Sequence, residues 1–527
     1  MTRLPDIIRL TAERHPNAVA LAPAPCPIGG YTYLQLLVLV QRGAAVLRAA
    51  KLAPGDAVLL FLEAGASWPM AFFSILEAGL VVVPLPVETP VATAAAIAAF
   101  AEARVAIVGT RTRGLAAGNC VRCLSVEQLI QPGAGPANAP PGPLPELAVL
   151  AFTSGSTRQP RAVELTHANL LANLQAALRL RRAAPGDSFL SMLPPAHLFE
   201  LMGGLLGPLA CGARVVYAPS LLPNRILTAL RDERITHALS VPALLQILYE
   251  EVVSELVDAG ALDPAQRNQS LAETARRLRD EMDELDQERL RTSVRERIGN
   301  SFRMLLVGGA ALDPAWAEIT ATVGLHLEVG YGLTEASPIV SAGLASECPP
   351  GASGLPLPGV QVRIGDDREI LVRGPNVMRG YYRDAESTSA VLKDGWLHTG
   401  DHGRLDADGF LFVTGRIKEA LVTAAGETLY PEELEPYYAS PLFADLCVAG
   451  VPGPQGNDVP TLFVVPVTPD VGEPELRRAF DDLQAAAPPR FRVARMVRVA
   501  GPLPRTALGK VRRRFLVQQL QARGDLT

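Results

Sequence analysis

The chain has 527 residues, of which 48% are hydrophobic and 20% are charged, and its formal net charge is -5. A chain of this length exceeds one ordinary hydrophobic core, so we expect two or more domains. The negative net charge argues against nucleic acid as the main partner. No stretch supplies the roughly 18 apolar residues of a membrane span, and the N-terminus lacks the apolar segment of a secretory signal. The six cysteines are scattered along the sequence, so we expect a cytoplasmic protein.

The first 145 residues alternate between helical and extended patterns. An amphipathic helix near the N-terminus is followed by a Gly29-Gly30 turn and a second helix over residues 33–50. A further helix is predicted at residues 70–78. Short apolar runs predict strands at residues 58–62, 81–83 and 105–108. Strands that alternate with helices indicate an α/β fold with a largely parallel sheet, and a connector rich in Pro, Gly and Ala covers residues 131–145.

A polar stretch at residues 153–163 follows directly on an apolar run at 147–152. A helical pattern starts near Thr166, so the sequence predicts a strand, a polar loop and a helix in succession. This arrangement presents hydroxyls, backbone N–H groups and a helix start to an anion. Four hydroxyl side chains and two arginines suit a polyphosphate better than a single carboxylate. A Ser/Thr-rich surface turn is the alternative, and no Gly-Lys-Ser/Thr follows at the spacing of the common P-loop.

The polar stretch, continued by Thr-His-Ala-Asn at 166–169, resembles the phosphate-binding loop of the adenylate-forming (AMP-binding) enzymes, and the chain is closest in character to the fatty acyl-CoA ligases. The family usually carries Gly where Arg158 stands and Lys where Arg161 stands. Arg161 keeps the charge but not the ammonium geometry, whereas Arg158 puts the usual flexibility of the loop in doubt. The resemblance implies nucleotide contacts by Thr153, Ser154, Gly155, Ser156, Thr157 and Arg161.

Residues 194–200, Pro-Pro-Ala-His-Leu-Phe-Glu, resemble a motif of the fatty acyl members in which a His is followed by x-Phe-Glu. The resemblance implies a catalytic role for His197 beside the acid carboxylate and the pyrophosphate path, and a core histidine is the alternative. Gly203 and Gly204 lie nearly two helical turns further on, and their missing side chains predict a channel for the acid. The motif therefore favours a medium- or long-chain fatty acid.

The segment 250–300 carries an amphipathic pattern of a different kind. Apolar residues recur at 4-3-4-3 spacing between charges at Leu271, Ala275, Leu278, Met282 and Leu285. We interpret this pattern as one surface helix that covers the large domain. A partner-binding arm is the alternative.

Two glycine-containing stretches come next. Residues 308–311 follow a predicted strand at 304–307, and the missing side chains let backbone approach a flat ligand closely. Residues 330–335 add an aromatic ring, a hydroxyl and a carboxylate in one turn, and they resemble the next family motif. The resemblance implies that Tyr331 stacks on a base, that Thr334 bonds a phosphate and that Glu335 holds magnesium. Backbone contacts to the nucleotide are expected at Gly309, Ala310 and Gly332.

A β-rich stretch from about 354 to 414 contains two further motif resemblances, at residues 396–401 and 415–416. They imply that Asp401 accepts hydrogen bonds from both ribose hydroxyls, a task that suits an acceptor-only carboxylate. Arg416 would assist at the ribose and in catalysis. The alternative for Asp401 is a solvated turn residue.

Residues after 416 are enough for a small α+β domain. Lys418 falls at the hinge position of the family, and residues 426–431 resemble the loop that rebuilds the site for thioester formation. Residues 504–510 resemble the C-terminal lysine motif. The resemblance implies that Lys510 stabilises charge that develops between the α-phosphate and the attacking carboxylate.

The fold class that we predict is α/β. A large N-terminal adenylation core of mixed, mostly parallel sheets, helices and a β-rich subdomain would cover residues 1–415, and a mobile α+β domain 416–527. The resemblance implies an AMP-forming acid–thiol ligase that uses ATP, Mg²⁺ and coenzyme A. Two alternatives remain: transfer to the phosphopantetheine of an acyl carrier protein, and a nucleotide-binding protein that has lost catalysis, the latter suggested by Arg158.

Overall fold

The structure is a computed structural model of the chain. It describes residues 1–23, 30–118, 121–131, 145–153, 161–180, 183–218, 220–240, 242–258, 260, 262–263, 271–308, 312–423, 427–453, 457–505 and 511–523.

Helices and strands alternate through the first half of the chain. Up to residue 130 the elements are α1 (Asp6–Arg14), β1 (Val19–Pro23), β2 (Tyr31–Thr32), α2 (Tyr33–Ala49), β3 (Ala57–Phe61), α3 (Ser67–Glu77), β4 (Val81–Pro84), α4 (Val91–Phe100), β5 (Val105–Val108), β6 (Arg122–Ser125) and α5 (Val126–Ile130). From residue 147 to 240 they are β7 (Leu147–Thr153), β8 (Arg161–Thr166), α6 (His167–Leu178), β9 (Ser188–Ser191), a π-helical segment (Glu200–Leu206), α7 (Gly207–Cys211), β10 (Arg214–Tyr217), α8 (Pro223–Asp232) and β11 (His237–Ser240).

The second half becomes richer in strands. From residue 242 to 344 the elements are α9 (Pro242–Asp258), α10 (Leu271–Asp280), α11 (Glu284–Ile298), β12 (Met304–Gly308), α12 (Ala315–Thr322), β13 (His326–Gly332) and β14 (Ile339–Leu344). From 355 to 416 they are β15 (Leu355–Pro356), β16 (Gln361–Ile364), β17 (Glu369–Arg373), β18 (Gly380–Tyr381), α13 (Ala385–Val391), β19 (Leu392–Lys393), β20 (Trp396–Leu405) and β21 (Leu411–Arg416). The remaining elements are β22 (Leu421–Val422), β23 (Thr428–Leu429), α14 (Pro431–Leu434), β24 (Phe443–Pro452), β25 (Asp458–Pro466), α15 (Glu473–Ala486), β26 (Arg495–Arg498) and α16 (Arg513–Arg523).

Three sheets build the large domain. A seven-stranded sheet has the order β18-β8-β7-β4-β3-β5-β6, and a nine-stranded sheet has the order β15-β14-β13-β12-β11-β9-β10-β1-β2. Both are parallel in their centres and antiparallel at an edge. The third sheet contains β16, β17, β19, β20 and β21 in antiparallel pairs. This architecture confirms the predicted α/β fold with mostly parallel sheets and a β-rich subdomain.

A smaller C-terminal domain packs its helices on the three-stranded sheet β24-β25-β26. The predicted fold class is therefore confirmed, while the boundary at residues 415 and 416 stays a prediction. Among the described residues, no helix is both long enough and apolar enough to cross a membrane.

The main core of the large domain lies between the two large sheets. Helix α3 is apolar on all sides, and its residues from Trp68 to Leu76 are all buried. Side chains of β3 and of β10, such as Val58 and Val215, belong to the same hydrophobic cluster. A helix that is hydrophobic all round must be covered on all sides, and this position between layers satisfies that need.

The structure confirms one local prediction and corrects two others. The helix predicted near Thr166 is α6, which starts at His167 with Thr166 as its N-cap. The prediction that a polar loop alone separates β7 from this helix is wrong, because β8 begins at Arg161 and pairs antiparallel with β7. The amphipathic pattern at 271–285 is not one helix, because α10 ends at Asp280 and Asp283 caps α11 by accepting the backbone N–H of Asp286. Leu285 consequently is 59% exposed.

Candidate active site

The predicted phosphate-binding stretch joins two paired strands. Thr153 at the end of β7 lies opposite Arg161 at the start of β8, so residues 154–160 connect the two strands of a hairpin. The residues Ser154, Gly155, Ser156, Thr157 and Arg158 lie outside the described residues. Their predicted contacts to phosphate stay predictions.

Arg161 is connected to Glu335 through a tyrosine that the sequence analysis did not single out. The guanidinium carbon of Arg161 lies 5.3 Å from the ring centroid of Tyr381, and the Tyr381 hydroxyl donates to Glu335 Oε1 at 2.9 Å. Strand β18, which carries Tyr381, pairs with β8 and so holds the ring beside the hairpin. Burial and the Glu335 carboxylate raise the pKa of Tyr381, which keeps the phenol protonated as a donor. The structure thus brings Arg161 and Glu335 into contact with the same side chain, Arg161 over its ring and Glu335 at its hydroxyl.

Glu335 has the properties of a single-carboxylate magnesium ligand. One of its oxygens accepts from Tyr381, which leaves the other carboxylate oxygen for a further partner. In the described part of the chain, no group of three or more His, Cys, Asp or Glu side chains is arranged around a metal position. Mg²⁺ at nucleotide sites commonly takes only one or two carboxylates and completes its shell with phosphates and water. Glu335 therefore fits Mg²⁺ brought together with a polyphosphate.

Asp401 forms the centre of a second cluster. The carboxylate is 5% exposed; its Oδ2 accepts from the Tyr331 hydroxyl at 2.6 Å, and its Oδ1 lies 3.1 Å from Arg416 Nε. Asp401 and Arg416 meet because they are direct cross-strand partners on β20 and β21. Each carboxylate oxygen can accept a second hydrogen bond, so the cluster retains acceptor capacity for a pair of hydroxyls.

Electrostatics fix the protonation states of this cluster. Burial disfavours the charge of Arg416, but the carboxylates of Asp401 and Glu419 outweigh that effect and raise its pKa. Burial, together with the negative charge of Asp401, raises the pKa of Tyr331 well above its ordinary value. Tyr331 therefore remains a neutral donor and Arg416 a cation over the whole physiological pH range.

The glycine motifs are explained by close approaches of other groups. Gly308 and Gly330 are partners on the parallel strands β12 and β13. A Cβ on Gly308 would lie 3.1 Å from the Phe199 ring, and a Cβ on Gly332 would lie 1.9 Å from the carbonyl oxygen of Pro338. Gly309 and Ala310 fall outside the described residues. Thr334 begins a 3₁₀ turn that also holds Glu335.

His197 presents an available ring nitrogen. The side chain is half-buried, and its Nε2 has no hydrogen-bond partner among the described residues. Burial lowers the pKa of His197, so the imidazole is neutral at neutral pH. A neutral ring whose Nε2 has no protein partner can donate to or accept from a ligand oxygen.

The two glycines after His197 do not both open a channel. A Cβ on Gly204 would lie 2.4 Å from Oε1 of Glu200, so the carboxyl of Glu200 occupies that space. At Gly203 a Cβ would meet Leu239 Cδ2 at 3.2 Å. The expectation that Gly204 lines the path of the acid is therefore wrong, because a buried side chain of the same helix fills the position.

The predicted hinge residue Lys418 lies between two ion-paired clusters, which we call anchors. Arg416 is bound to Asp401, and the 3₁₀ turn Ile417–Glu419 follows at once. The second anchor is Arg513 of α16, whose guanidinium lies 2.8 to 2.9 Å from three carboxylates. They belong to Glu419, Glu432 and Glu435.

The lysine motif lies next to this second anchor. Arg514 donates to the carbonyl oxygen of Lys418 at 2.6 Å. Arg505 and Val511 form an isolated β-bridge. Lys510 itself lies outside the described residues, and its catalytic role stays a prediction.

Comparisons with known proteins cover almost the whole chain. The sequence pattern of the family described as AMP-binding enzyme matches residues 8–382. A feruloyl-CoA synthase of Amycolatopsis sp is 31% identical over 511 residues, which cover 92% of this chain and 94% of that relative. The long-chain-fatty-acid–CoA ligase FadD15 of Mycobacterium bovis is 29% identical over 433 residues, 75% of this chain and 71% of the ligase.

Solved structures share the fold over nearly the full length. The anthranilate CoA ligase AuaEII, in complex with anthranoyl-AMP, has a TM-score of 0.80 at 20% identity and covers 99% of this chain and 97% of its own. The O-succinylbenzoate coenzyme A synthetase MenE from Bacillus subtilis, in complex with ATP and magnesium ion, has a TM-score of 0.77 at 22% identity. The match covers 97% of this chain and 98% of the MenE chain. Since the family pattern spans most of the chain and the 31% identical relative spans nearly all of it, this chain belongs to the AMP-binding enzyme family and is an enzyme of the AMP-forming acyl-CoA synthetase type.

Proposed function

We propose that this enzyme converts a hydrophobic carboxylic acid and ATP to acyl-AMP and then transfers the acyl group to coenzyme A. An oxygen of the acid would attack the α-phosphorus, and pyrophosphate would leave. The thiol of coenzyme A would then attack the acyl carbon, lose its proton to solvent and displace AMP. The observation that carries this proposal is the buried Asp401 carboxylate, held by Tyr331 and Arg416 beside the predicted start of the small domain.

The residues divide the work between two ends of the nucleotide. Arg161, Thr334 and the hydroxyls of the hairpin would hold the phosphates, and Asp401 would accept from the ribose. Mg²⁺ held by Glu335 would neutralise phosphate charge. Catalysis would come mostly from positioning and from stabilisation of charge in the transition state, with Lys510 as the mobile cation.

The acid is proposed to be a medium- or long-chain fatty acid, as the motif around His197 suggests. A second candidate is an aromatic acid of the ferulate type. Two observations favour it: the 31% identical relative of nearly equal length is a feruloyl-CoA synthase, and the carboxyl of Glu200 fills the space at Gly204 that a long chain was expected to use.

A panel of acids tests both candidates. We would measure ATP-dependent pyrophosphate release with butyrate, decanoate, hexadecanoate, ferulate and benzoate, without coenzyme A. Fatty-acid specificity predicts release that rises with chain length, and the aromatic candidate predicts that ferulate exceeds every linear acid. Release with none of a broad range of acids would refute the proposed function.

The acceptor is tested separately. With the best acid, the rate of AMP formation should rise on addition of coenzyme A, and the product should be the acyl thioester. An acyl carrier protein with attached phosphopantetheine serves as the comparison. Faster acylation of the carrier protein than of coenzyme A at equal concentrations would contradict the proposed acceptor.

A further inference from the structure

Glu200 is a buried acidic residue that has no role in the proposed chemistry. Its side chain is 1% exposed at the start of the π-helical segment Glu200–Leu206. Its Oε1 accepts from Ser191 Oγ at 2.5 Å, while its Oε2 has no hydrogen-bond partner among the described residues. π-Helical turns are rare and are frequently found at functional sites.

The surroundings of the carboxyl favour its neutral form. No ion-pair partner of Glu200 is found in the described part of the chain, and the titratable side chain that faces it is Tyr217 of the neighbouring strand β10. Burying an ionised carboxylate without a cation is costly. Burial raises the pKa of Glu200 to about 8, and the donors Ser191 and the Leu193 backbone only partly oppose that shift.

The position of this carboxyl is coupled to the site through its own turn of chain. His197 is three residues away, and its carbonyl oxygen accepts the N–H of Leu201 at 2.9 Å. Phe199 packs against the position of Gly308 at the end of β12. Ser191, which donates to Glu200, ends β9. The carboxyl therefore ties the turn that carries His197 and Phe199 to the end of a neighbouring strand.

Gly204 provides the space in the helix that the carboxyl of Glu200 occupies. A Cβ at this position would lie 2.4 Å from Oε1 and 2.9 Å from Oε2 of Glu200. Only glycine leaves room for the carboxyl to fold back over the helix and reach Ser191. The pair Glu200 and Gly204 therefore forms one packing unit.

We propose that Glu200 is a positioning residue whose neutral carboxyl holds His197 in place for attack by the acid, and that ionisation of Glu200 releases this turn. The inference rests on the proposed function, because it is His197 that would meet the acid. An ionised carboxylate needs a donor at Oε2, which is buried and has no partner among the described residues, so ionisation would favour a movement of the turn that lets water reach this oxygen.

The first test is the pH dependence of pyrophosphate release, measured without coenzyme A so that its thiol does not titrate in the assay. The parent should lose activity in a one-proton step near pH 8. Glu200→Gln, which stays neutral, should retain most of the activity at pH 7 and lack that step. Glu200→Ala should lose about tenfold or more at pH 7, since the hydrogen bond to Ser191 and the packing of the carboxyl are both removed.

Two further variants sharpen this test. Ser191→Ala removes the hydrogen bond that ties the His197 turn to β9, so activity at pH 7 should fall. Because the lost donor favours the ionised form, the remaining alkaline step should move to higher pH. Glu255→Gln is the control for loss of a buried carboxylate elsewhere: Glu255 is also buried and also accepts from a serine, Ser293, but it lies on α9 and is ion-paired with Arg297. It should keep the alkaline step of the parent. A Glu200→Gln profile that still shows the step, or Glu200→Ala with full activity, would overturn the proposal.

A second readout does not depend on catalysis. With ¹³C-labelled histidine, the Hε1 signal of His197 is assigned as the signal missing from His197→Gln. In the parent this signal should show an inflection near pH 8, and in Glu200→Gln it should not. If no acid supports pyrophosphate release, the proposed function fails while this measurement still decides the role of Glu200. An unchanged His197 signal across pH 7–9 in the parent would refute the coupling.

Discussion

Replacing Gly204 with Ala tests how tightly the carboxyl of Glu200 fills its place. The new Cβ would lie 2.4 Å from Oε1 and 2.6 Å from Cδ, far inside normal contact. Glu200 cannot swing into solvent and keep its bond to Ser191. Gly203 provides a matched control on the same turn, because a Cβ there would meet only the end of the Leu239 side chain at 3.2 Å.

The magnitude follows from three effects. Overpacking a dense core costs about 1–3 kcal/mol, and loss of a neutral hydrogen bond adds about 0.5–1.5 kcal/mol. Replacing glycine by alanine within a helix returns about 0.5–1 kcal/mol. The free energy of unfolding should therefore fall by about 2 kcal/mol in Gly204→Ala. Gly203→Ala should change it little, because a flexible leucine can give way.

The assay is urea unfolding of the two single variants, of Glu200→Ala and of the double variant Glu200→Ala/Gly204→Ala. In the double variant the collision no longer exists, so the two changes should be coupled by about 1 kcal/mol or more. Gly204→Ala should also keep the relative rates of the parent for acids of different length. Strict additivity, or a Gly204→Ala protein as stable as the parent, would refute the packing argument.

Three other predictions concern phosphate binding, catalysis and pH. Arg161→Ala should raise the ATP concentration for half-maximal pyrophosphate release about tenfold or more, since hydrogen bonds to charged groups contribute about 1.5–3 kcal/mol. Lys510→Ala should abolish pyrophosphate release but still convert supplied acyl-adenylate to thioester. Thermal stability of the parent should fall between pH 5 and pH 8 relative to Glu200→Gln, because folded Glu200 keeps a proton that the unfolded chain releases.

For each of these three predictions, one experimental result would contradict it. Arg490→Ala is the control for Arg161, because it removes an arginine with similar geometry over an aromatic ring, 5.4 Å from the Phe491 centroid; an equal effect of both would remove Arg161 from the phosphate site. Equal loss of both half-reactions in Lys510→Ala would contradict separate roles for the two steps. Parallel pH curves for the parent and Glu200→Gln would mean that Glu200 titrates normally.

Sequence patterns predicted the central strands and helix α3 because their signals are local. A continuous apolar run such as 81–83 can only be buried, and the structure places it in β4. The β8 strand was missed because it carries Arg161 and Glu164. Glu164 is buried only because Arg379, distant in sequence, binds it at 2.8 Å. A partner that far along the chain leaves no local signal.

In the candidate site too, residues with a local sequence signal were predicted and residues that depend on distant partners were missed. Tyr331, Asp401 and Arg416 were singled out by motif, and the structure brings these three together. Tyr381 was missed, although Gly380 followed by two tyrosines offered a signal, because its importance arises from pairing between β18 and β8. Gly204 was misinterpreted because the sequence shows only that this position has no side chain. It does not show that the carboxyl of Glu200 occupies the space.

The two ion-paired anchors limit how the chain can turn between the domains. Arg416 is fastened to Asp401 on one side, and Glu419 is fastened to Arg513 on the other. Ile417 and Lys418 are the residues between them, so a rotation that preserves both pairs must be absorbed by the dihedral angles of this dipeptide. Helix α16, which carries Arg513, would then move together with Glu419 on the far side of that dipeptide.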